Sequence, residues 1–314
     1  MVASGSERLV SGHDSAAATR HHCATMLNTF DSVPSSGKST VVRVIAGMWP
    51  MRRGIVRVPR RGYGGLAIVP QTIHLPPGSL RHIIQYPLQD FGDRGTADSS
   101  SGNHSARWDN TLCQLLHLLG LAHLLRRSDP GGVESSTVAS LTAGLDAVAP
   151  WERVLSGGEA QRIGLARVLL SGASIVVLDE ATSALDEEWQ TVYYSTLRDC
   201  GLSYVSVAHA PGVRDFHDMC LVFTRQSQGT NNDSDRVGSR MELHQERIEA
   251  AIPPAGRNVS PHPNAARAAG GNAGRGDASG AGPTPRARVA ALVALHSEIL
   301  ELHRVRQQQT AQTA

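Results

Sequence analysis

Lys38, Asp179 and Glu180 are the residues of this 314-residue chain whose surroundings point to chemistry on a phosphate. Lys38 lies in Ser35-Ser36-Gly37-Lys38-Ser39-Thr40, the second half of the pattern G-x-x-x-x-G-K-[ST], and a helix is read onward through Val41–Ala46. Backbone N–H groups and the helix dipole at such a start favour an anionic phosphate. There Lys38 can bridge the β- and γ-phosphates of a nucleotide and the Ser39 hydroxyl can ligate Mg²⁺. Asp179-Glu180 end the apolar run Ile175–Leu178. A buried strand with that tip delivers Asp179 to Mg²⁺ and Glu180 to an attacking water as general base. A third stretch, Leu155-Ser156-Gly157-Gly158-Glu159-Ala160-Gln161, precedes that strand. Its Ser156-x-x-Glu159 spacing is a capping box, an ordinary helix entry when it stands alone.

The elements that must position these groups alternate along the chain. Leu66–Val69, Ile175–Leu178 and Tyr204–Val207 read as buried strands, and Glu159–Leu170 and Glu187–Asp199 as helices. Continuous apolar strands followed by helices imply a parallel sheet covered on both faces, with ligands at the carboxyl ends of its strands. Asp179, Glu180 and His209 all fall at such ends. Asp186 is the expected cap of the last helix, with Glu187 and Glu188 in its first turn. Between the strands, Trp108–Arg127 carries Leu112, Leu115, Leu116 and Leu119 at helical spacing.

Four segments divide the chain: a poorly ordered 1–26, a globular part 27–225, a Gly, Asn, Ala and Pro rich disordered linker 226–285, and a helix over 286–308. Two Ser/Gly/Asp-rich surface insertions, about 90–107 and 128–142, interrupt the globular part. In the terminal helix Leu292, Leu295, Ile299 and Leu302 form a stripe that suits either a coiled-coil zipper or docking on the domain. The net charge is +2, which gives no case for a nucleic-acid partner. Four cysteines without metal spacing suit a reducing compartment. No apolar run approaches the roughly 20 residues that span a bilayer, so no transmembrane segment is expected.

Taken together, the P-loop, the acid-tipped strand and the LSGGE stretch resemble the Walker A, Walker B and signature motifs of an ATP-binding cassette (ABC) ATPase. That resemblance covers about residues 27–225. It implies an α/β P-loop NTPase with a parallel core sheet and a helical subdomain, ATP and Mg²⁺ as ligands, and ATP hydrolysis coupled to transport. By the same resemblance Gln71 is the Q-loop glutamine that senses metal and γ-phosphate, and His209 holds the γ-phosphate and attacking water. Ser183-Ala184-Leu185-Asp186 is similar to the D-loop that touches an opposing cassette. Leu155, Ser156, Gly157, Gly158, Glu159 and Gln161 would complete a partner's ATP site rather than their own, so hydrolysis implies a homo- or heterodimer of cassettes. Ile45-Ala46-Gly47-Met48-Trp49-Pro50, Val69-Pro70-Gln71, Pro77-Gly78-Ser79-Leu80-Arg81, Tyr86-Pro87 and Trp151 narrow the likeness to subfamily D, the peroxisomal fatty acyl-CoA transporter type. That branch implies a membrane-domain subunit or membrane-spanning half as partner, and a peroxisomal membrane with the cassette facing the cytosol.

The chain departs from this pattern ahead of Pro34. Ser32 stands where the first P-loop glycine belongs and Ser35 where the family usually has another. No Tyr, Trp or Phe in Met1–Thr29 supplies the family's adenine-stacking ring. The family's membrane helices are also absent. A wrong gene start or exon boundary accounts for these losses together. The alternatives are a soluble, non-transport ABC ATPase and a catalytically impaired or truncated cassette with a degenerate P-loop. Against the first, Lys38 and Ser156 lie too close for an interposed coiled coil, and there is one cassette rather than two. Against the second stand Glu180 and His209.

Overall fold

The computed structural model describes residues 24–29, 38–50, 53, 55–56, 59, 64–88, 101–126, 138–208, 210–226, 240–247 and 283–313. Among these, six strands form one sheet in the order β2-β3-β4-β1-β5-β6. They are β1 (Ala24–Thr29), β2 (Leu66–Val69), β3 (Ile175–Asp179), β4 (Ser203–Val207), β5 (Met219–Gln226) and β6 (Arg240–Arg247). The first five pair in parallel, and β6 closes one edge antiparallel to β5. Because β4 lies between β1 and β3, the strand that leads toward Lys38 and the strand that ends at Asp179 are not neighbours. Both point the same way, so their carboxyl ends share one edge of the sheet, where ligands bind in this class of fold.

Helix α1 (Lys38–Ile45) follows β1, and its Val42 is buried with Leu66, Val177 and Val207 on one side of the sheet. The larger core lies on the other side. There α7 (Gly157–Ser171) and α8 (Glu187–Asp199) meet the helices of the inserted segment, α2 (Leu80–Gln85), α3 (Ser101–Leu118), α4 (His123–Arg126) and α5 (Val138–Leu145). The short α6 (Trp151–Val154) leads into α7, and α9 (Pro285–Thr313) closes the chain. The expected stripe of α3 is as buried as its spacing requires: Leu112, Leu115, Leu116 and Leu119 are all fully covered. Asp186 caps α8 as expected, its carboxylate accepting from Trp189 N–H at 2.8 Å.

The segment boundaries differ from the expectations at β1, α3, α5 and β6, and the terminal helix, expected to end at 308, runs on to Thr313. Strand β1 begins at Ala24, inside the stretch read as poorly ordered, because pairing with β4 and β5 on both sides satisfies its backbone. Helix α3 begins at Ser101 and α5 at Val138, so each reaches into a segment read as an insertion. Strand β6 lies within the segment read as a disordered linker; its polar sequence gives no strand signal, and backbone pairing along the edge of β5 holds it. Of both insertions and the linker, residues 90–100, 128–137, 227–239 and 248–282 lie outside the described residues.

Helix α9 docks on its own domain. Leu292, Leu295, Ile299 and Leu302 are at most 5% exposed and belong to the main core. Two buried histidines of the same helix donate to the end of α7, His296 Nδ1–H to the Leu169 carbonyl at 3.1 Å and His303 Nε2–H to the Leu170 carbonyl at 2.7 Å. These carbonyls belong to the last turn of α7, where intrahelical partners run out. The stripe is therefore consumed within the chain, and the zipper reading falls away. Among the described residues no helix is long and apolar enough to cross a membrane.

Candidate functional site

Two hydrogen bonds assemble the site at the carboxyl edge of the sheet. Ser39, in the first turn of α1, donates its hydroxyl to Asp179 Oδ1 at 3.0 Å. Gln71, just past β2, donates its amide to Glu180 Oε2 at 2.7 Å. Residues far apart in sequence, all of them singled out as site residues, thus meet in two pairs. Glu180 extends the β3–β4 ladder by one bond, its N–H donating to the Val207 carbonyl at 3.0 Å. Its φ is then +50°, a left-handed conformation rare for a residue with a side chain. That conformation costs on the order of 1–3 kcal/mol and turns the chain sharply out of the sheet directly after Asp179.

The donor set suits Mg²⁺. A hydroxyl, one carboxylate and an amide oxygen are hard ligands, and Mg²⁺ takes one or two carboxylates with the rest of its sphere from phosphate and water. Ser39, Asp179 and Gln71 are the residues that would hold it. Among the described residues no cluster of three His, Cys, Asp or Glu offers a rival metal site. Lys38 begins α1 and Thr40 follows in its first turn, half-buried. Ser32, Ser35, Ser36, Gly37 and His209 lie outside the described residues; β4, which leads to His209, ends as expected beside β3.

The LSGGE stretch is built as a capped helix start. The Ser156 hydroxyl accepts from Glu159 N–H at 3.3 Å, and the Glu159 carboxylate accepts from Ser156 N–H at 2.8 Å. Ser156 and Gly157 are exposed, at the open N-terminus of α7. Leu155 sits one residue earlier, where it ends α6. The two glycines have a constraint that the sequence does not show: a Cβ on Gly157 would lie 3.2 Å from the Ala184 Cβ, and one on Gly158 would lie 3.0 Å from the Ala184 carbonyl oxygen. The loop at 183–186 therefore rests directly on the helix start.

Gln161 fastens that contact. It is 4% exposed. Its Oε1 accepts from Ala184 N–H at 2.9 Å, and its Nε2 donates to Ser183 Oγ at 3.1 Å with a longer contact to the Glu180 carbonyl at 3.4 Å. The sequence reading assigned Gln161 with the residues that reach a partner's nucleotide. The structure turns its side chain inward, to the loop that follows Glu180 in the same chain.

Residues 34–183 match the family described as ABC transporter. That segment, a little under half of the chain, is an ABC ATPase domain. The chain is similar over 187 residues, at 35% identity, to an uncharacterised ABC transporter ATP-binding protein of Synechocystis sp., covering 59% of this chain and 24% of that one. The lysosomal cobalamin transporter of Homo sapiens is 33% identical over 190 residues, 59% of this chain and 27% of the relative. ATP-binding cassette sub-family D member 3 of Mus musculus is 31% identical over 187 residues, 59% and 24%. The expected likeness to subfamily D thus holds. The chain spans about a quarter of the length of these relatives. A solved bacterial Atm1-family ABC exporter with ATP bound aligns at a TM-score of 0.44 and 24% identity, over 64% of this chain and 32% of that one, a superposition too loose to transfer geometry.

Several residues that shape the ABC domain gave little signal in sequence. Arg81, next to the Gly78-Ser79-Leu80 turn, pairs with Asp109 of α3 and, at 2.9 Å, with Asp146. Burial would lower its pKa, but the bonds and charges of the two aspartates raise it. Trp151, noted only as a family feature, is buried and donates to the Gly78 carbonyl at 3.0 Å. Two guanidiniums lie over the Trp189 ring, Arg162 of α7 at 4.7 Å and Arg288 of α9 at 4.4 Å from its centroid. These contacts join the helical subdomain, the signature helix and the terminal helix. No sequence window could show them, because each partner comes from a different element.

Proposed function

We propose that this chain is the ATP-binding and ATP-hydrolysing cassette of a membrane transporter. The observation that carries the reading is the pair of bonds Ser39–Asp179 and Gln71–Glu180, which sets a metal-binding hydroxyl and carboxylate beside a second, base-like carboxylate at one edge of a parallel sheet. Mg²⁺, when bound, screens the charge of the transferring phosphoryl group. The chain's own residues do the rest. The start of α1 and Lys38 bind and orient the phosphates, and Glu180 takes the proton of the attacking water. Gln71, one hydrogen bond from Glu180, links the base to the segment leading into the helical subdomain. His209 is proposed as the holder of the γ-phosphate.

The exposed Ser156 and Gly157 at the start of α7 suit a phosphate presented by a second cassette, so the working unit is proposed as a dimer joined to a membrane domain. On the resemblance to subfamily D the cargo is a fatty acid or its CoA ester, and the site of action a peroxisomal membrane with the cassette on the cytosolic side. The human relative is named for cobalamin, which makes cobalamin the competing cargo to test. A second reading, an impaired cassette, is favoured by one sequence observation: serines occupy both glycine positions of the P-loop, Ser32 and Ser35.

Glu180→Gln tests the proposal. Turnover is expected to vanish while ATP-driven dimerisation persists, because the amide keeps the shape but cannot take a proton. ATP hydrolysis by Glu180→Gln at the parent rate would falsify the base assignment.

A further inference from the structure

The signature helix carries a polar chain that phosphate chemistry alone does not require. Glu159 Oε2 accepts from the Ser156 hydroxyl at 2.8 Å as well as from its N–H, and Glu159 Oε1 faces His123 Nε2 at 2.8 Å. His123 opens α4, so it reaches the signature helix from the helical subdomain. Its side chain is 52% exposed, against 17% for Glu159. In the proposed dimer the Ser156 hydroxyl turns to the γ-phosphate of a second copy. A carboxylate bound to that hydroxyl works against this in two ways: it holds the proton that the phosphate needs, and it brings like charge toward an anion. A donor on the far oxygen of the carboxylate offsets both effects.

Resting on the proposed function, we propose that His123 is a positioning residue of the composite ATP site: its Nε2 holds the far oxygen of the Glu159 carboxylate and draws its charge away from Ser156, which frees the Ser156 hydroxyl for the γ-phosphate of a second copy. Burial alone would raise the Glu159 carboxyl, but the bonds from Ser156 and the His123 charge hold it below the usual carboxylate range. Of the other charged groups, Arg162 of α7 interacts with Glu159, and Arg162 in turn with Arg288 of α9 and Asp186 at the start of α8. Arg162 also donates to the Leu119 carbonyl at 2.9 Å and, more weakly, to the Gly158 carbonyl at 3.4 Å. Arginine charge is fixed in the working range. The partner that a substitution can take from Glu159 is therefore His123, and ATP-driven pairing weakens when it is removed.

The experiment measures ATP-driven self-association of the full chain by sedimentation, with Glu180→Gln in every variant to stop turnover. His123→Ala is expected to associate roughly twofold to fivefold less tightly than this background, the scale of a partly exposed pair. Glu159→Gln keeps the capping box and should be at least as tight as the background. His123→Ala combined with Glu159→Gln should be as tight as Glu159→Gln alone, because without the carboxylate His123 has nothing to hold. His123→Ala as tight as the background, or a loss that persists when Glu159→Gln is added, overturns the proposal and sinks this inference alone. No ATP-driven association in any folded variant sinks the proposed function with it.

Discussion

Gln161→Leu separates a residue that serves its own chain from one that serves a partner's nucleotide. The substitution keeps the volume of the buried side chain but removes its amide. Ala184 N–H loses its acceptor at 2.9 Å and Ser183 Oγ loses a donor at 3.1 Å, while the 3.4 Å contact to the Glu180 carbonyl is too long to weigh heavily. A buried backbone donor left without a partner costs about 1–3 kcal/mol. The serine hydroxyl can rotate to another acceptor, so the single orphaned N–H sets the size of the effect. With a urea dependence of about 2 kcal/mol per molar, the unfolding midpoint should fall by roughly 1 M. This loss should appear in the nucleotide-free chain. Turnover should fall with little change in ATP affinity, because the loop after Glu180 loses its tether to α7. Urea unfolding followed by tryptophan fluorescence, without and with Mg-ATP, is the assay. A variant as stable as the parent without nucleotide, and weakened only in ATP-driven pairing, would refute the inward role and return Gln161 to the partner's site.

Three further outcomes follow from the same geometry. Restoring glycine at Ser32 and Ser35 together should tighten Mg-ATP binding by one to three orders of magnitude in calorimetry, since a serine required to adopt a P-loop glycine's left-handed backbone would cost roughly 1–2 kcal/mol; unchanged affinity would mean that these positions need no glycine. His217 is 4% exposed, donates Nδ1–H to the Val213 carbonyl at 2.8 Å and accepts at Nε2 from Ser206 at 2.6 Å. Burial pushes its pKa down to about 4. Its folded pKa is depressed, so the unfolded chain binds the proton first. Stability is then full above the ordinary histidine range and falls by up to about 3 kcal/mol as pH drops from roughly 6.5 toward 4, a slope that His217→Gln should flatten in pH-dependent urea unfolding. Ile299→Ala should cost about 2–5 kcal/mol in the monomer and leave the oligomeric state unchanged by sedimentation, because that side chain is fully buried in its own domain.

Local pattern was enough for the chemistry-bearing elements of this protein. The apolar runs ending at Val69, Leu178 and Val207 read as buried parallel strands, and Gln71, Asp179, Glu180 and His209 follow their ends in the sequence. Leucine spacing fixed the buried face of α3, and Asp186 with two following glutamates fixed the start of α8. Each of these signals lies within one turn or one strand, where backbone geometry dictates the period. The tertiary structure decided whatever depended on a partner from elsewhere in the chain. Strand β6 has no apolar alternation to announce it and exists by pairing with β5. The stripe on α9 fitted a zipper and a docked helix equally, until α7 and α8 took that face. Gln161 shares a motif with residues that open to solvent, yet the helix turns it inward onto Ala184, and His123 meets Glu159 only because α4 packs against the start of α7. Residue type and spacing state what a group can do; the packing of distant elements determines which group it does it to.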